Sequence, residues 1–223
     1  MRRSELAKRI DHTLLGPTAS REGVLKLCEE AVRLETASVC VSPCHARIAS
    51  DAIAGTPVKL CIVIGFPHGM TTAATKAAEA REAVGSGADE LDMVINVGAL
   101  KDGDYEAVRA DIRGVCDVAR DAGRPVAVKV ILETALLTNE EKETAARLAK
   151  EVGADFVKTS TGYGPGGATV EDVALLHETV GATMGVKASG GIRDYASAVA
   201  MIEAGASRIG ASRTVDILEG AEP

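Results

Sequence analysis

Four charged residues stand in segments whose neighbours are apolar: Asp92 in ELDMVIN, Lys129 in VAVKVILE, Lys158 in DFVKTS and Lys187 in MGVKAS. A charged side chain is rarely buried unless it is paired or put to use. Any one of them alone reads as well as an interior ion pair, or as a lysine whose stem is covered while its ammonium reaches water. Four on successive apolar segments favour a common pocket. There, an ammonium group between apolar walls and a second ammonium is electrostatically disfavoured, so one lysine is expected to be neutral near pH 7. A neutral amine attacks a carbonyl carbon, and the pattern points to covalent catalysis through an imine. In this reading the companion lysine holds its partner's pKa down and Asp92 passes protons through water.

Glycine-rich turns provide a second chemical signal: TGYGPGG at 161–167, SGG at 189–191 and GAS at 210–212. Each alone is explained by a tight turn. Together, with Ser189 and Ser212 as added donors, they predict an anion site built from backbone N–H groups at helix starts.

The elements that must position these residues alternate along the chain. After a short helix at 4–9, β-branched and apolar runs predict strands near 10–15, 37–42, 58–64, 89–96, 125–132, 154–159, 184–188 and 207–211. Helical periodicity fills the intervals, as at 20–35, 71–87 and 139–153, the last with Thr138 and Glu141 at capping-box spacing. Gly-Ala pairs at 87, 153, 181 and 205 predict left-handed helix stops followed by an alanine packed on the sheet. Eight strand–helix units over residues 1–223 predict one α/β domain, a single-domain (β/α)8 TIM barrel with a short N-terminal helix. An open doubly wound sheet is disfavoured because DHTLLGP, after the first strand, lacks a dinucleotide-type glycine loop. Chemistry in such a barrel belongs at the C-terminal ends of the strands.

Composition narrows the classes further. Aromatic residues are only 2 % of the chain and Trp is absent, so Ala, Val, Ile and Leu are expected to fill the barrel in layers. The net charge of −7, with no long basic run, argues against a nucleic-acid partner. No stretch approaches the roughly 18 apolar residues of a membrane span, and MRRSELAKRIDHTLL lacks an apolar signal core, so a cytoplasmic protein is expected. Five cysteines without a C-x-x-C argue for reduced thiols. Cys40, Cys44 and His45 offer three metal ligands but no second cluster completes a tetrahedral site, so no metal is expected. His45, His68 and His177 are read as loop or surface residues.

The motifs DHTLLGP, GADELDMVINVGALKDG, KVILET, GADFVKTSTGYGPGGAT, VKASGGIR and RIGAS, in this order from residue 11 to residue 212, resemble the deoxyribose-phosphate aldolase family. The resemblance implies a cofactor-free class I aldolase that joins acetaldehyde to glyceraldehyde 3-phosphate, giving 2-deoxyribose 5-phosphate, and that runs the reverse cleavage in nucleoside breakdown. It assigns Lys158 as the Schiff-base lysine, Lys187 as the lysine that perturbs it, Asp92 as the acid/base aspartate and Lys129 as part of the polar network. It places Gly162, Gly190, Gly191 and Ser212 at the phosphate, and Asp11, Thr13, Cys40 and Thr161 among the substrate-binding residues. A homodimer or homotetramer acting on small phosphosugar and aldehyde substrates is implied, with no membrane partner.

Two departures follow. Tyr163 stands where some members carry a basic residue, and the sequence closes on Glu222 and Pro223 where some members close on a tyrosine. Arg213, after the GAS turn, is the expected substitute cation for phosphate. The competing functions on the same barrel are a phosphosugar isomerase or synthase, without an imine on Lys158, and a non-catalytic barrel that binds sugar phosphates.

Overall fold

The computed structural model describes residues 1–222; Pro223 lies outside the described residues. Eight parallel strands close on themselves in sequence order: β1 (Ile10–Leu14), β2 (Ser38–Val41), β3 (Lys59–Ile64), β4 (Glu90–Val94), β5 (Ala127–Ile131), β6 (Phe156–Lys158), β7 (Gly185–Ser189) and β8 (Arg208–Ala211). The last strand pairs with the first, Asp11 opposite Gly210. This is the expected (β/α)8 barrel. A short α1 (Arg3–Ala7) precedes β1, and the helices between strands are α2 (Arg21–Leu34), α3 (Ala46–Ala52), α4 (Ala73–Gly85), α5 (Val97–Lys101), α6 (Tyr105–Arg120), α7 (Asn139–Glu151), α8 (Val170–Val180) and α9 (Tyr195–Glu203). After β8 comes α10 (Thr214–Glu219). No helix of the described residues is long and apolar enough to cross a membrane.

The Thr138 capping box forms, its hydroxyl accepting from the Glu141 N–H at 3.3 Å while Glu141 accepts from the Thr138 N–H at 2.7 Å. All four glycines of the Gly-Ala pairs have positive φ. The alanine packs inward at 88, 154 and 206, but Ala182 is exposed. A 3-10 turn at Gly181–Thr183 carries the chain one step further there, and Met184 takes the buried place.

The core is not where the composition put it. Side chains alternate across each strand, and the branched set (Val39, Val41, Ile62, Ile64, Leu91, Val128, Val130, Ile209) points outward against the helices. The opposite parity, facing the lumen, holds Asp11, Glu90, Asp92, Lys129, Lys158, Lys187 and Arg208, joined by ion pairs across the barrel. A small apolar group, Cys40, Cys61 and Val63 with Leu15 and Phe66 against it, packs beside them.

The two chain ends meet away from the strand C-termini. Arg2 bridges to Glu222, the Arg3 N–H donates to the Glu222 carbonyl at 2.9 Å, and α1 packs on α10.

Candidate active site

The register of the strands fixes which charges meet. Asp92 on β4 stands opposite Lys129 on β5, and Lys158 on β6 stands opposite Lys187 on β7. Asp92 is fully buried and accepts at both oxygens: Oδ1 from Lys129 at 2.8 Å, Oδ2 from Lys158 and from Lys187 at 2.7 Å each. Below this layer Lys187 pairs with Asp11 at 2.5 Å and Lys129 with Glu90 at 2.5 Å, while Arg208 joins Asp11 at 2.6 Å and Glu90 at 2.8 Å.

The lysines are therefore not enclosed by apolar walls. Four buried or nearly buried cationic side chains (Lys129, Lys158, Lys187, Arg208) face three carboxylates (Asp11, Glu90, Asp92), and the more exposed Lys59 adds a further ammonium 3.7 Å from Glu90, so positive charge is in excess. Burial works to raise the Asp92 carboxyl, but the three ammonium groups, Lys129 foremost, outweigh it and hold Asp92 well below the usual carboxylate range. Burial likewise works against charge on Lys187, yet Asp11 and Asp92 raise it above the ordinary lysine value. Lys187 is thus a retained ammonium.

Above the network opens a cavity of about 360 Å³, within the size range of small-molecule sites. Lys158 is the network member that lines it, with Thr13, Thr161, Gly162, Gly190, Gly191 and Ser212. Lys187 and Asp92 lie directly behind Lys158, whereas Asp11, Cys40 and Lys129 are fully buried and do not reach the cavity wall. Cys40 stands opposite Cys61 in the neighbouring strand, and Cys61 donates to Asp92 Oδ1 at 3.1 Å. Cys40, Cys61 and Asp92 bring ligand atoms within 4.8 Å of one another, but Lys129 and Lys158 already occupy the carboxylate and would repel a cation. The other ligands suggested by spacing separate: Cys44 is exposed in the turn after β2 while Cys40 faces the lumen.

The glycine turns form one wall. Gly190 and Gly191 have φ of 86° and 82°, which aims successive backbone N–H groups in directions an ordinary residue seldom allows. A Cβ at Gly167 would stand 2.3 Å from the Gly190 carbonyl oxygen, so the turns after β6 and β7 touch through bare backbone. Ser189 is not the free donor expected. Its hydroxyl is spent on the Ser160 carbonyl at 2.6 Å and its N–H on Thr159 at 3.1 Å, so it ties β7 to the end of β6.

Arg213 is turned away from the cavity. It is exposed and pairs with Asp216 at 3.1 Å, as the i,i+3 spacing on the start of α10 permits. Arg193 lines the cavity instead and has no ion-pair partner among the described residues. Its sequence signal was the R of VKASGGIR, two residues after the glycine pair. Glu90 and Arg208 were also missed; both share the inward parity of their strands, Glu90 two residues before Asp92 and Arg208 opposite Lys187.

Two of the chain's five Phe and Tyr side chains meet at the mouth, the Phe66 and Tyr163 rings edge to face with centroids 5.5 Å apart. Tyr163 thus puts an aromatic wall where a cation was the alternative.

A family model described as DeoC/LacD family aldolase matches residues 6–219. Deoxyribose-phosphate aldolases of Brevibacillus brevis and Thermococcus gammatolerans are each 57 % identical to this chain, covering 96 % and 97 % of it and 96 % of each relative. Among solved structures, the deoxyribose phosphate aldolase of Aeropyrum pernix, described as a unique tetramer, superposes with a TM-score of 0.90 at 38 % identity, over 97 % of this chain and 91 % of that one. Orotidine 5'-phosphate decarboxylase of Pyrococcus horikoshii matches at a TM-score of 0.67 and 14 % identity, over 94 % of this chain and 98 % of that one. That likeness is one of fold alone.

Proposed function

The chain belongs to the DeoC/LacD aldolase family, and on that premise we propose that it reversibly cleaves 2-deoxy-D-ribose 5-phosphate to D-glyceraldehyde 3-phosphate and acetaldehyde through an imine on Lys158. The observation that carries this reading is the position of Lys158: among the described residues it alone of the buried cations opens on the cavity, with Asp92 2.7 Å behind it.

The Lys158 amine attacks C1 of the open-chain sugar, and the carbinolamine loses water to give the protonated imine. The C3 hydroxyl then gives up its proton through water toward Asp92. The C2–C3 bond breaks, its electron pair moves toward the iminium nitrogen, and C3 leaves as the aldehyde of glyceraldehyde 3-phosphate. Protonation of the enamine at C2 and hydrolysis release acetaldehyde and the free amine. Lys187, kept charged by Asp11 and Asp92, maintains a positive field at the imine nitrogen while that carbon–carbon bond is broken or made.

The phosphate is held by the backbone of Gly162, Gly190 and Gly191, by Ser212, and by Arg193 in place of Arg213. The barrel is the single catalytic domain, assembled as a homodimer or homotetramer, and its cleavage direction serves deoxyribonucleoside breakdown.

Borohydride reduction in the presence of acetaldehyde, followed by peptide mass spectrometry, tests the reading. A two-carbon adduct on the peptide carrying Lys158, lost in Lys158→Ala, is expected. Folded wild-type protein without that adduct would remove the imine mechanism and leave an isomerase or binding barrel.

A further inference from the structure

Glu133 carries a buried carboxylate with no ion-pair partner among the described residues. It lies just past β5 in a left-handed backbone conformation, φ 59° and ψ 62°, which residues with a side chain adopt chiefly where the surroundings require it. Its Oε2 accepts the hydroxyl proton of Thr161 and also the Thr161 N–H at 3.3 Å. Gly164 makes the room, since a Cβ there would stand 2.7 Å from Glu133 Cδ.

Thr161 lines the cavity beside Lys158, three residues further along the same strand end, and its hydroxyl oxygen accepts the Tyr163 N–H at 3.0 Å. A hydroxyl has one proton and two lone pairs. The proton goes to Glu133 and one lone pair to Tyr163. What remains for a ligand is a lone pair. Thr161 is therefore held as a hydrogen-bond acceptor, and a ligand that meets it must bring a donor.

We infer that Glu133 is a specificity-positioning residue: by taking the Thr161 proton it makes that hydroxyl an obligate acceptor, which selects acceptor aldehydes bearing a hydroxyl beside the carbonyl over those that lack it. A buried acceptor left without its donor penalises the deoxygenated analogue. The inference deepens the aldolase reading and rests on it.

The test is synthesis from acetaldehyde with two acceptors, D-glyceraldehyde 3-phosphate and 3-oxopropyl phosphate, which lacks the 2-hydroxyl. The ratio of their kcat/KM values is compared in wild type, Glu133→Gln, Thr161→Val and the double variant, with borohydride trapping on each. The Gln amide can turn its NH2 to the Thr161 oxygen and release the hydroxyl proton. All four proteins should trap the Lys158 adduct. Wild type should prefer the hydroxylated acceptor, each single variant should lower that preference about tenfold or more, and the double variant should fall no lower than Thr161→Val. An unchanged preference in Glu133→Gln that still traps the adduct overturns the role of Glu133, and a full effect persisting on the Thr161→Val background overturns its route through Thr161. Should Glu133→Gln fail to fold, Thr161→Ser and Thr161→Val decide: the preference should survive in the first and be lost in the second, and its survival in both overturns the inference. An adduct missing from wild type overturns the aldolase reading instead.

Discussion

Lys158 and Lys187 donate to the same oxygen of Asp92, each at 2.7 Å, so the lysine that lines the cavity shares that carboxylate oxygen with one that does not. Lys187→Met keeps the volume and removes the charge. Asp92 Oδ2 is then left to Lys158, and Asp11 loses the cation 2.5 Å away. Asp11 keeps Arg208 at 2.6 Å and Asp92 keeps Lys129 and Lys158, so the loss should stay below the roughly 3–5 kcal/mol of a buried charge left wholly unpaired, and the urea midpoint should still fall. At a temperature where the variant is folded, kcat for cleavage should drop at least about a hundredfold, the range for one electrostatic donor in a closed site. Full activity with a lowered midpoint would make Lys187 a structural cation.

The same network sets a pH dependence of stability. Asp11 and Asp92 have folded-state pKa values below the ordinary one, because the surrounding ammonium and guanidinium groups outweigh burial. In the unfolded chain they protonate near pH 3.9, so the stability they contribute is fully present above about pH 4 to 5 and is lost as pH falls toward their folded values. Lys129 and Lys187 are raised, and their contribution is present below about pH 10.4 and lost as pH rises through the folded values. Urea midpoints measured across this range should form a plateau with both shoulders falling. Asp92→Asn should be less stable at pH 7 and fall less steeply in acid; an equal acid slope would place the sensitivity elsewhere.

The strands, their number and the convergence of Asp92, Lys129, Lys158 and Lys187 were legible because each charge interrupts an apolar run. Glu90 and Arg208 were not, because they open their strands, where a charge reads as a loop residue until the register shows it facing the lumen. Parity also explains the misplaced core: outward and inward residues of a barrel strand are both buried, so hydropathy alone does not show that Ile62 meets helices while Cys61 meets Asp92. Glu133 was hidden for another reason. Its role depends on a positive φ and on room made by Gly164, neither of which a single sequence prints.

The two candidate phosphate cations separate cleanly by mutation. Arg193 lines the cavity without an ion-pair partner among the described residues, while Arg213 is bound to Asp216 on the surface. Arg193→Ala should raise KM for the phosphorylated substrate roughly ten- to a hundredfold with kcat little changed, the loss of one charged hydrogen bond made equally in ground and transition states. Arg213→Ala should leave KM where it was. The reverse pattern in steady-state kinetics would return the phosphate to the turn after β8.

A second buried pair lies outside the barrel lumen, where Lys76 on α4 donates to Asp111 on α6 at 2.5 Å and to the Val94 carbonyl at 2.7 Å. Burial lowers the Lys76 pKa and raises that of Asp111 despite their contact, so desolvation outweighs attraction for both partners. The pair nevertheless ties two helices to the end of β4, since Asp111 also accepts the Asn96 N–H at 3.2 Å. Lys76→Met leaves Asp111 charged and unpaired in the interior and should cost about 3–5 kcal/mol. Adding Asp111→Asn removes the stranded charge while its amide oxygen still accepts from Asn96, so the double variant should recover stability relative to Lys76→Met. The coupling is read from urea midpoints in a double-mutant cycle. If the second substitution instead adds to the loss, the carboxylate is held by its backbone contact and not by the lysine.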